Sequence, residues 1–123
     1  MSSALNIFNN RKADFVASIE IYPCGTKTRT HPPFNGIRWS FIFAEDVENL
    51  GLGDAMRQLI FPEFIDGDGN TIADKVSLIG KLNAKMHVVA ISDGAPAVKV
   101  GTQFYCAEGA RIMAKGTVTS LII

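Results

Sequence analysis

Nucleophilic catalysis requires an activated serine or cysteine with a base in reach, and the chain offers two histidines, His31 and His87. His31 stands beside the Pro32-Pro33 turn, and His87 lies between the core-like Met86 and Val88. Neither belongs to a local partner motif, so each reads as a surface or strand-face residue and not as a catalytic base. Cys24 and Cys106 match no paired-thiol or zinc-finger spacing. Both are expected to be reduced; a disulfide between them would require the first and the penultimate strand to be neighbours. Asp66, Asp68, Asn70 and Asp74 fall at positions 1, 3, 5 and 9 of a twelve-residue calcium loop. The pattern fails at position six, where Thr71 replaces the turn glycine, and at position twelve, where Ser77 replaces the bidentate carboxylate. An acidic, glycine-rich loop without metal is the expectation. No phosphate-cradling glycine loop is present, so neither a nucleotide nor any other cofactor is expected, and the chain reads as a non-enzyme.

The elements that would position these residues are mostly strands. Phe15, Ala17, Ile19 and Ile21 alternate with Val16, Ser18, Glu20 and Tyr22, and Ile37, Trp39, Phe41 and Phe43 alternate with Arg38, Ser40 and Ile42. Residues 84–91, 102–107 and 116–122 supply three more strands, and a sixth over 55–64 is expected to end at Pro62. Turn signals at Pro23 to Gly25, Asn35-Gly36, Asp66 to Asn70 and Glu108-Gly109 separate them. Ala73, Val76, Ile79 and Leu82 recur every three residues, which predicts one or two amphipathic helical turns over 73–82, weakened at Gly80.

With 123 residues and 47% hydrophobic content, the chain is long enough for one domain with one core. Twelve basic and twelve acidic residues cancel, which argues against a dedicated nucleic-acid binder, but the charges are segregated. Residues 11–39 carry +3, residues 45–74 carry −7 and residues 75–123 carry +4. No apolar run is long enough to span a bilayer, and Met1 to Lys12 lacks a signal-peptide pattern, so a flexible leader over 1–12 and a cytoplasmic protein with no membrane partner are expected.

Two segments carry a resemblance. Residues Arg29 to Phe43 read RxxPxFxGxRxxFxF, and residues Gly101 to Val118 read GxxFxxxEGxRxxxxGxV through Phe104, Glu108, Gly109, Arg111 and Gly116. In order, spacing and separation the pair resembles the third domain of elongation factor Tu, the C-terminal β-barrel of that translation factor. The resemblance implies a stand-alone relative of that barrel, over 13–123, with an insertion at about 61–74. In the family this barrel contacts the T stem of aminoacyl-tRNA, the nucleotide-exchange factor and the GTPase domain. The chain departs from the family at Ala107, where arginine is usual, at Ala110, which replaces the second glycine of the turn, and at Trp39 and Ser40, which replace proline and glutamine.

The fold expected is all-β: a closed six-stranded antiparallel, Greek-key-like barrel with one insertion and room for a short helix. Phe34, Phe41, Phe43 and Phe104 are expected inside it. Function is read as a binding module, with a link to translation implied by the resemblance, that engages a protein, or more weakly tRNA or another RNA, through Arg29, Arg38, Glu108, Gly109, Arg111 and Lys115. The alternative is a small immunity or inhibitor protein whose acidic insert, through Asp66, Asp68 and Asp74, blocks a toxin such as a nuclease.

Overall fold

The computed structural model describes residues 13–23, 33–51, 53, 57–73, 75–90, 98–109 and 111–122. The leader over 1–12, Cys24, Arg29, His31 and Asp74 lie outside the described residues. Six strands, β1 (Phe15–Ile21), β2 (Trp39–Phe43), β3 (Arg57–Ile65), β4 (Gly80–Ala90), β5 (Gln103–Glu108) and β6 (Arg111–Leu121), close a barrel in the order β1-β4-β3-β2-β5-β6. Every neighbouring pair is antiparallel. Strands β2, β3 and β4 follow one another around the wall while β1 returns beside β4, which is the Greek-key connection. Among the described residues no helix is long and apolar enough to cross a membrane.

Alternation drives this closure. Phe15, Ala17, Ile19 and Ile21 are buried with Trp39, Phe41, Phe43, Phe64, Phe104 and Val118 in one interior cluster. Phe104 stacks on Phe41 with ring centroids 4.5 Å apart, and Phe15 meets both rings edge-on. Directly opposite Phe104 on β6 stands Gly116, whose missing side chain leaves the space the Phe104 ring occupies. Phe34 departs from expectation: it sits ahead of β2, bridges Ser77 at one end of the barrel and is 42% exposed.

The helix forms elsewhere than its spacing predicts. Among the described residues of 73–82 there is no helix; Ser77 bridges Phe34, the Leu78 N–H donates to the Pro33 carbonyl at 2.8 Å, and Gly80 opens β4 with φ +72°. Val76 and Ile79, half of the proposed apolar stripe, are 49% and 68% exposed, whereas Leu78, outside that stripe, is buried. Pairing with residues 33–34 satisfies this backbone in place of a helix that Gly80 already weakens. The helix found among the described residues is α1 (Ala44–Leu50), stopped at Gly51, whose N–H donates to the Val47 carbonyl. Its Val47 joins Ile112 over the outward-facing Ile42 and Ala107, so α1 covers the outside of the barrel there.

Strand β3 runs through Pro62 to Ile65 instead of ending at the proline. The Phe64 N–H points away from β4, to the side-chain oxygen of Asn35, and Pro62, two residues earlier, presents its nitrogen to the same side. There β2 has already ended, its first residue Trp39 pairing with Ile60, so the proline lacks a donor where no strand asks for one. Phe61 to Ile65 therefore belong to the wall, and the segment beyond it folds back with Thr71 bridging Ile65.

Candidate functional site

The two segments that carry the resemblance meet at one end of the barrel. Glu108 and Arg111 face each other across the β5–β6 turn, where Gly109 has φ +60°, a conformation a side chain disfavours. The indole N–H of Trp39, an interior residue 1% exposed, donates to Glu108 Oε2 at 2.9 Å. Burying an indole leaves its N–H in need of an acceptor, so the half-buried carboxylate of Glu108 ties the start of β2 to the hairpin. Arg38 precedes Trp39 and is exposed, as is Arg111. Four of the named residues, Arg38, Glu108, Gly109 and Arg111, thus gather at this end. Lys115 does not. It stands four residues up β6, about 13 Å at strand rise, opposite Tyr105 and Glu20. Its Nζ lies 3.6 Å from Glu20 Oε1, an exposed pair of little energetic worth.

The acidic loop is internally occupied. Asp66 Oδ1 accepts the N–H groups of Asp68 and Asn70 at 2.9 and 3.0 Å, and the Asp66 N–H donates to the Asn70 carbonyl. That carboxylate shapes the turn, while Asp68 is exposed. Among the described residues no group of three or more histidines, cysteines and carboxylates is placed to hold a metal ion.

Asn35 and the Thr71–Glu63–His87 network were not distinguished by type or spacing. Asn35, buried, donates through Nδ2 to the carbonyls of Phe64 and Ile72 at 2.9 and 2.8 Å and accepts the Phe64 N–H at 2.9 Å. It fastens the turn before β2 to β3 and to the returning segment. His87 Nε2 lies 2.8 Å from Glu63 Oε1, and the Thr71 hydroxyl donates to the other oxygen of Glu63. The carboxylate accepts the hydroxyl through one oxygen and meets the imidazole through the other, so it ties Thr71 to His87. The signal available in the sequence was a histidine in an apolar strand, which needs a polar partner once buried.

Cys106 is a buried free thiol, and burial pushes its pKa up. The neighbours of β1 are β4 and β6, not β5, so the strand adjacency that a disulfide with Cys24 would require does not occur. Burial also raises the pKa of the Tyr22 phenol above its usual 10.0, with Tyr105 adding to the effect. No protein-family profile matches the chain, and no curated protein matches it significantly in sequence.

Proposed function

We propose that the chain is a non-enzymatic binding module, related to the C-terminal barrel of elongation factor Tu, that engages a protein partner through the barrel end carrying Arg38, Glu108, Gly109 and Arg111. The observation behind this reading is the Trp39–Glu108 hydrogen bond. It joins the two resembling segments through residues 69 positions apart in sequence, and holds the hairpin with Arg38 and Arg111 exposed beside it. Arg29 belongs to the same reading by sequence, and Lys115 leaves it. An RNA partner is the weaker form, in which a few basic side chains supply most of the attraction.

The test is affinity capture from the native cell lysate, with proteins and RNA both identified, using the wild type, Arg38→Glu/Arg111→Glu and Asp68→Asn/Asp74→Asn. A protein retained by the wild type and by the acidic-loop variant, but lost with the arginine reversal, is expected. Loss only with the acidic-loop variant would favour an inhibitor that covers a basic active site, and capture indifferent to both would refute the reading. RNA binding, if it occurs, is micromolar or weaker and falls steeply with salt; absence of a total-tRNA shift at low salt would remove it.

A further inference from the structure

Lys115, displaced from the hairpin end, lines a cavity of about 390 Å³ on the outer wall over β1, β5 and β6. Ser18, Glu20 and Thr117 also line it, with Tyr105 at one side and Lys81 at the other. Glu20 faces Lys81 on β4 and Lys115 on β6, so two cations flank one carboxylate and this half is net positive. A second cavity, of about 590 Å³, lies between α1 and the segment leading into β5, lined by Glu45 and Glu48 against Lys99. The two adjoin at Ala44 and Gln103, which line both, as two halves of a groove. Its far bank, α1, carries Glu45, Asp46 and Glu48 with no basic residue in its last turn. The groove is therefore cationic at one end and anionic at the other.

We propose that this groove docks an extended peptide segment of a protein partner, with an acidic side chain toward Lys81 and Lys115 and a basic one toward Glu45 and Glu48. Charge complementarity selects the occupant: opposite ends of opposite sign suit a dipolar peptide and penalise a uniformly anionic chain such as RNA, which would run its phosphates past α1. The hydroxyls of Ser18 and Thr117, together with Gln103, give the floor neutral donors and acceptors for a peptide backbone. Gln103 lies two residues along β5 from Tyr105, about 7 Å at strand rise. A peptide with charges of opposite sign separated by a few extended residues is the simplest probe of two such poles. This site is separate from the hairpin end and does not rest on the function proposed there.

The experiment titrates the full-length, nitrogen-15-labelled protein with a synthetic heptapeptide of two glutamates, a Ser-Thr-Ser spacer and two lysines. Heptapeptides with four glutamates or four lysines around the same spacer serve as controls, as does a heptamer of uridine. Amide signals of Gly101, Gln103, Tyr105, Lys115 and Thr117 are expected to shift with the dipolar peptide, which binds about threefold or more tighter than either control peptide. Lys81→Glu/Lys115→Glu and Glu45→Lys/Glu48→Lys should each weaken it by about threefold or more, with unchanged Trp39 fluorescence reporting an intact fold. Equal binding of a single-sign peptide, tighter binding of the uridine oligomer at the same amides, no shift at millimolar peptide, or indifference to both folded variants would each overturn the proposal.

Discussion

Replacing Gly116 by alanine should destabilise the barrel even though alanine suits a strand better than glycine does. A Cβ at position 116 would collide with Cζ of Phe104 and lie 2.8 and 2.9 Å from its Cε2 and Cε1. Carbon atoms rest at about 3.5–4.0 Å, so the ring must withdraw by roughly an ångström. It has little freedom to do so: Phe41 stacks on it at 4.5 Å with planes 23° apart, and Phe41 is itself held edge-on by Phe15 and Phe43. Overpacking of this kind costs about 1–3 kcal/mol, and removing glycine's excess flexibility returns about 0.5–1 kcal/mol. The net expectation for Gly116→Ala is a loss of about 1–2 kcal/mol. Urea unfolding followed by the fluorescence of Trp39, the single tryptophan and a buried one, measures it directly. Phe104→Leu removes the obstructing ring tip and should cost about 1–2 kcal/mol alone, whereas Gly116→Ala/Phe104→Leu should be more stable than the sum of the singles by about 1 kcal/mol. An alanine variant as stable as the wild type, or strict additivity in the double variant, would refute the claim that the Phe104 ring demands glycine.

Asn35→Ala should lower stability by about 2–4 kcal/mol, since it strands the buried Phe64 N–H and the Ile72 carbonyl; Asn35→Asp should lose nearly as much, and urea midpoints will show both. In a Cys24→Ser background, Cys106 should resist iodoacetamide at pH 8 in the native protein and react in guanidinium, because burial disfavours its thiolate; rapid native alkylation would contradict its interior position. The folded pKa of Tyr22 lies above its unfolded value near 10.0, so the stability it contributes is fully present below pH 10 and is lost as pH rises through the folded value. Between pH 10 and the folded pKa, wild-type stability should therefore fall more steeply with pH than that of Tyr22→Phe, with tyrosinate absorbance following the ionisation.

Strand positions were legible because a barrel wall has an inner and an outer face, and a period of two records that directly in Phe15 to Ile21, while in Trp39 to Phe43 the outward Ile42 is also buried, beneath α1. Long-range partners were not. Asn35 bonds to residues 29 and 37 positions away, and its type and spacing also suit an ordinary turn. Spacing misled at 73–82, where a three-residue apolar recurrence met a tertiary pairing partner in residues 33–34. It misled again at Lys115, which is near Arg111 in sequence yet far along an extended strand that a helix would have shortened to one turn. Glu108 was legible as a turn residue beside a glycine, but its bond to Trp39 required the ring order that brings β2 beside β5.

The unequal lengths of β2 and β3 leave a notch in an otherwise closed wall, and the residues at that notch decide how the protein behaves in crowded company. Beyond Ile60, β3 continues to Ile65 with no β2 residue beside it. Such a margin invites a strand from another molecule. Here Pro62 offers no N–H, and the Phe64 N–H and carbonyl are both engaged by Asn35 from within the same chain. A template for intermolecular β-pairing is thereby closed without a seventh strand, and protection against aggregation falls to one proline, one asparagine and the returning backbone at Thr71 and Ile72, whose Ile72 N–H also donates to the Phe64 carbonyl at 2.9 Å.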